Sequence, residues 1–315
     1  MNIAAGSPPI SRRPLYCLRT CRLLLIVILF LHTATEAFLA LTYPTRSGGV
    51  VRQRWAEKEV TYVIDRTGSD DMPAATSAAI LRESFAVWSD VDGSSLRLLD
   101  GGTTNDIAPV STDGRNLVIF DETGAWLNPP PGTGVIAVTR LESNFDGTIT
   151  DADIIFNGRD FTFTNGVGGT AINLKDVAVH EVGHLIGLDH TPLQGSAATR
   201  PTMNPFYTGD GPGEASSLEP DDEAGISYLY PVPSHSLATG IIAGSVVDDG
   251  GVGVFGAHVL AENTSTGQVF STLSGAYPDQ GDPGSYFLFG LTPGSYRLQL
   301  AAVGGGITAR NFAGI

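Results

Sequence analysis

The residues with the clearest chemical capacity lie in one stretch, His180-Glu181-Val182-Gly183-His184-Leu185-Ile186-Gly187-Leu188-Asp189-His190. On a helix, positions four apart share a face, so the imidazoles of His180 and His184 leave it side by side. Two such groups can close on one zinc ion at about 2.0–2.1 Å per nitrogen. Glu181 flanks that metal without needing to bind it, and can take a proton from zinc-bound water. Gly187 can adopt positive φ, which ends the helix and turns the chain back. His190, three residues on, then reaches the same ion. Three histidines leave a fourth position for water, the arrangement of a catalytic zinc rather than a closed structural one. The bland alternative, histidines merely solvated or packed on a helix, leaves the joint occurrence of ligands, base and turn unexplained.

The elements that must position this stretch can be read from apolar spacing. A helix is expected from about Asn173 to Ile186. Upstream, Val60, Tyr62 and Ile64 alternate as in a strand, and Ile80, Leu81, Phe85 and Trp88 recur at helical spacing within Ala74–Val91. Asn116–Phe120, Gly134–Arg140 and Ile149–Asn157 read as short strands between loops rich in Gly, Pro, Asn and Asp. A last helix is expected over about Pro220–Tyr228. Pro220 suits its first position, and Asp221, Asp222 and Glu223 sit where the helix dipole favours anions. Residues 38–53 form a lead too short to fold alone, 54–231 a first domain and 232–238 a linker. Residues 239–315 hold only short β-like runs, the pattern of a small antiparallel sandwich. The last stretch, Gly304–Ile315, has no clear ending, so a truncated module is one reading of it.

The chain has 315 residues, a length that suits two domains, and a formal net charge of −15. That acidity argues against a nucleic-acid partner, which needs a basic face. The first 22 residues carry four Arg and no acid, an apolar run follows from Leu23 to Leu31, and Thr35-Glu36-Ala37 supplies small residues for cleavage. This order describes a secretory signal over 1–37. The alternative is a retained anchor, but the run is about half of the roughly 20 residues a span needs. Cleavage would remove Cys17 and Cys21, both cysteines of the chain, leaving no disulfide and no thiol. The expectation is a secreted monomer with no stable membrane span after cleavage.

HEVGHLIGLDH resembles the zinc motif of metzincins, and its context resembles the matrixin branch, bacterial-type matrixins in particular. Thr191 stands where matrixins carry Ser or Thr. Met203, in Pro201-Thr202-Met203-Asn204-Pro205, resembles the Met-turn beneath the metal. Pro205-Phe206-Tyr207 resembles the wall of the pocket for the residue after the cut, with Pro205 and Tyr207 as its candidate lining. Leu218 to Tyr230 resembles the family's last helix, and Trp55–Ile64 with Phe85–Trp88 its first strand and helix. The resemblance implies an α+β fold, a twisted mixed sheet plus three helices, with substrate antiparallel to an edge strand placed at Gly134–Arg140. It implies a zinc endopeptidase acting on proteins or peptides, with Glu181 as base and Met203 as floor. Gly134–Arg140 and Asp151–Asn157 contain no His, so one zinc is expected where animal matrixins hold two. The spacing from His190 to Met203 exceeds that of the animal enzymes. Asp146, Asp151 and Asp153 offer hard oxygen ligands for calcium, or are polar strand and turn residues. Residues 239–315 resemble a carboxypeptidase regulatory-like sandwich. The rival functions are an extracellular binding protein with a vestigial zinc site and a zinc hydrolase of non-peptide bonds.

Overall fold

The computed structural model describes residues 38–47, 49–130, 132–166, 170–194, 200–208, 215–275 and 282–303, with the backbone of β1 (Arg22–Leu24). The signal expected over 1–37, with Cys17 and Cys21, otherwise lies outside the described residues.

The lead at 38–53 proves to be part of the first unit. Phe38, Leu39 and Ala40 are buried in its main core. Leu41 N–H donates to Gly187 O at 2.8 Å, and Asp189 N–H donates to Leu39 O at 2.8 Å. A hairpin of β2 (Thr42–Pro44) and β3 (Val50–Arg52) completes it. The lead cannot fold alone because its apolar run finds its partners some 150 residues downstream, beside the expected zinc stretch.

The central sheet has the order β5-β4-β6-β8-β7, built from β4 (Glu59–Asp65), β5 (Arg97–Thr104), β6 (Asn116–Phe120), β7 (Ala137–Ser143) and β8 (Ile149–Phe156). Four strands run parallel, and β7 lies antiparallel on the edge. The β4–β5 crossover is α1 (Ala74–Ser89), as a parallel pair requires. All five residues of β6 are buried, which explains its unbroken apolar run. Val118 and Phe120 face the helices. Leu117 and Ile119 face a smaller cluster with Leu127 and Ile155. Two short strands, β9 (Phe163–Thr164) and β10 (Ile172–Asn173), lead into α2 (Leu174–Leu185). The α1 and α2 helices pack together. The Trp88 ring donates from Nε1 to Val179 O at 2.8 Å, and Phe85 stacks on Tyr62 at 3.6 Å between centroids.

The strand expected at 134–140 begins three residues later, at Ala137. Gly134, Val135 and Ile136 are apolar enough to read as strand, but they line a cavity instead. The third helix, α3 (Pro220–Leu229), is followed by α4 (Pro233–Ala238), so the expected linker at 232–238 carries a helical turn. Beyond it stand β11 (Gly240–Val247), β12 (His258–Asn263), β13 (Val269–Leu273), β14 (Ser285–Leu291) and β15 (Tyr296–Ala301). They form two three-stranded sheets, β1-β11-β14 and β13-β12-β15, around Val246, Val259, Phe270, Tyr286 and Leu288. The two units share side chains. Ala224 of α3 packs in the sandwich core, Leu273 of β13 packs in the main core, and Tyr228 meets Phe289 at 5.3 Å between rings. Among the described residues no helix is long and apolar enough to cross a membrane.

Candidate metal centre

The α2 helix is fixed at both ends by its own sequence. Asn173 caps it, its Oδ1 accepting from Lys175 N–H at 2.9 Å and Asp176 N–H at 3.4 Å. At the other end Gly187 has φ +98°, Gly187 N–H reaches His184 O at 2.9 Å, and Leu188 N–H reaches Gly183 O at 2.9 Å. This paired closure is the Schellman arrangement, and it aims the chain back toward His190. A Cβ at Gly187 would also strike Gln53 O, so both backbone angle and space require glycine there.

The three expected ligands come together. His180 Nε2 lies 3.2 Å and His184 Nε2 3.1 Å from His190 Nε2. His180 Nδ1 sits 2.7 Å from Thr202 O, and His184 Nδ1 2.8 Å from Leu188 O. A carbonyl has no proton to give, so each Nδ1 carries the hydrogen and each Nε2 turns a lone pair inward. Burial pushes both imidazoles below the usual histidine range, and for His184 the nearness of His190 and His180 adds to it. Three ring nitrogens at this spacing can close on one cation. Tetrahedral zinc with nitrogen at about 2.05 Å separates its ligand atoms by about 3.3 Å, so this donor set fits zinc. Among the described residues it is the sole group of three or more His, Cys, Asp or Glu close enough to hold a metal.

Glu181 is 6% exposed and stands on the same cavity. Thr139 in β7 donates its hydroxyl to Glu181 Oε2 at 2.6 Å. Burial pushes the Glu181 carboxyl up to about 7 against the pull of that hydrogen bond. Met203 is 2% exposed beneath the centre, against Gly183. The turn that carries it is held by Asp222, whose carboxylate accepts Thr202 N–H at 2.9 Å and Met203 N–H at 3.2 Å. Glu219 faces Asp222. Burial and the neighbouring carboxylate push the Glu219 carboxyl up.

A cavity of about 360 Å³ opens beside the histidines, lined in part by Ile136, Val177, Pro205 and Tyr207. Tyr207 Oη also accepts Asn173 N–H at 3.1 Å. That bond occupies the N–H to which an acid at position 176 would ordinarily reach back. Asp176 instead faces the cavity, with Ser216 on one oxygen and no partner for Oδ2.

Asp151 and Asp153 lie side by side on β8, yet both serve the backbone. Asp151 Oδ2 accepts Gly114 N–H at 2.7 Å, and Asp153 Oδ1 accepts Leu117 N–H at 3.0 Å. Asp146 lies apart, in a turn where it accepts Thr148 N–H at 2.9 Å. Sequence reasoning missed Thr139, Asp176 and the tie that Asp222 makes. Asp176 and Asp222 each carried a signal, an acid in the first turn of a helix, and Thr139 carried none.

A mixed sheet with one antiparallel edge, a helix bearing two ligands below it, and a third histidine past a glycine stop define a metallopeptidase unit of metzincin type. Residues 54–231 match the model of the Matrixin family, and the chain belongs to that family. Among curated relatives it is 33% identical over 190 residues to stromelysin-3 of Rattus norvegicus, covering 59% of this chain and 32% of that protein. It is 35% identical over 162 residues to the hatching enzyme of Paracentrotus lividus, 50% of this chain and 23% of that one. It is 32% identical over 177 residues to matrix metalloproteinase-19 of Homo sapiens, 56% and 30% respectively. The chain therefore spans about a quarter to a third of the length of these relatives.

Proposed function

We propose that this protein is a secreted zinc-dependent endopeptidase. The observation that carries the reading is the convergence of three Nε2 atoms beside the cavity that also holds the buried Glu181 carboxyl. His180, His184 and His190 would hold zinc, which when bound supplies a Lewis acid and lowers the pKa of water. Glu181 takes the proton of the attacking water and passes it to the departing amine. Thr139 keeps one carboxylate oxygen of Glu181 in place. The outer edge of β7 offers unpaired backbone groups, so an extended peptide can add there as a further antiparallel strand. Its side chain after the cut then enters the cavity between Val177, Pro205 and Tyr207. Export is supported by the Arg-rich start, the apolar run and the small residues after it. The strands of residues 240–301 support the likeness to a carboxypeptidase regulatory-like module.

The test is cleavage of a mixed peptide library by the purified chain, alongside Glu181→Ala. Cleavage that stops with chelator and is absent in the variant is the expected result. Zinc binding at one per chain with no peptide cut would overturn the protease reading and favour a binding protein with a vestigial site.

A further inference from the structure

His180 and His184 are placed by their own helix, but His190 lies on a loop beyond it. What fixes that loop is a chain of contacts running into the C-terminal sandwich. Asp189 Oδ1 accepts His190 N–H at 2.7 Å, and Thr191 N–H donates to Met203 O at 2.9 Å. The Thr191 hydroxyl donates to Asp221 Oδ2 at 3.0 Å and lies 3.3 Å from Ser271 Oγ. The other oxygen of Asp221 accepts the backbone N–H of Ser271, in β13, at 2.8 Å. Asp221 is 1% exposed and Ser271 likewise, so water replaces none of these bonds.

Each partner in this chain has a reason to need the other. The β13 strand is the edge of its sheet, and Ser271 points its N–H away from β12. Buried without an acceptor, that N–H would lose its water partner and gain nothing in return. Asp221 is a buried carboxylate and needs donors on both oxygens. Thr191 has one hydroxyl hydrogen and gives it to Asp221. The apolar contacts run the same way, with Leu273 of β13 in the main core and Ala224 of α3 in that of the sandwich.

We infer that the C-terminal sandwich is part of the framework of the metal centre, and that Asp221 is a positioning residue that sets His190 through Thr191. The inference rests on the zinc reading of the three histidines. It gives the sandwich a task at the metal, beyond presentation or substrate binding.

The test uses the full chain and reads zinc affinity by competition with a chromophoric chelator, with urea unfolding of the metal-free protein alongside. Ser271→Pro deletes the outward N–H at a sheet edge where no ladder bond is lost. Ser271→Ala keeps that N–H. Thr191→Val keeps the shape of the side chain and removes the hydroxyl. Support of metal ligands by such outer contacts is worth about 10–100-fold in affinity. Ser271→Pro and Thr191→Val should therefore weaken zinc about tenfold or more in protein that the unfolding curve shows to be folded, and each should also lower the metal-free midpoint, since each strips a donor from buried Asp221. Ser271→Ala should stay within about threefold. If Ser271→Pro does not fold, Thr191→Val decides. Zinc affinity unchanged in folded Thr191→Val overturns the inference and leaves the zinc reading standing. A parent chain that binds no zinc overturns both.

Discussion

Gly183 sits mid-helix between the first two zinc ligands, where propensity and packing make opposite predictions for Gly183→Ala. Alanine is better than glycine in a helix interior by about 1 kcal/mol. A Cβ at this position, however, would run into Met203 Sδ and come within 2.9 Å of Trp88 Cζ2. The Trp88 ring is fully buried and pinned through Nε1 to Val179 O, so it cannot yield. The Met203 backbone is held by Asp222 on its N–H and Thr191 on its carbonyl, so only its flexible thioether end can shift, within a buried site. Overpacking a filled core costs about 1–3 kcal/mol. With one rigid contact and one flexible one the middle of that range, about 2 kcal/mol, applies. Packing then wins, and the net loss is about 1 kcal/mol. Urea unfolding of the full chain in chelator measures this without a zinc contribution. Displacement of the Met-turn would also move Thr202 O away from His180 Nδ1, so zinc affinity should fall with stability. A variant as stable as the parent, or more stable, would refute the packing argument.

Two further outcomes follow from buried carboxylates. Asp176 is 1% exposed and its buried Oδ2 lacks a partner, so the neutral, isosteric Asp176→Asn should unfold at the same or a higher urea concentration than the parent at pH 7; a clearly lower midpoint would show that the charge is used. Burial first, then the nearness of Asp151 and Asp113, pushes Asp153 up to about 6, above its unfolded value near 4. The folded state therefore holds this proton more tightly. Its contribution to stability is complete below about pH 4 and is lost as pH rises through 6. Asp153→Asn, always neutral, should gain on the parent between pH 5 and pH 8 in unfolding experiments. An equal difference at both pH values would show that the group does not titrate there.

Local chemistry was legible in the sequence and tertiary partnership was not. The α2 helix, its ligand pair and the glycine stop follow from spacing within eleven residues, and the structure places them as expected. The unbroken NLVIF of β6 also read as a strand, and the structure buries it on both faces. Arg97–Thr104 escaped notice because its two glycines and polar residues suit a sheet edge, where only one neighbour must be satisfied. The start of β7 was misplaced because Gly134, Val135 and Ile136 look like strand, whatever they line. The lead was set aside because its buried residues answer to Gly187 and Asp189, far along the chain. Thr139 is an ordinary strand threonine until β7 lies over α2.

The bonds around the third histidine also set an order of events for a growing chain. Leu39 and Leu41 brace the segment at 187–189 from one side, and Ser271 reaches Asp221 from the other. When synthesis has just passed His190, two ligands stand on a helix and the third is still loose. Contacts this distant in sequence form late, after the costly closure of long loops. Hydrolytic competence would then arrive only when residues some 80 positions beyond the last ligand have been made and folded. The nascent chain would pass through the making of β12 without a finished cutting centre.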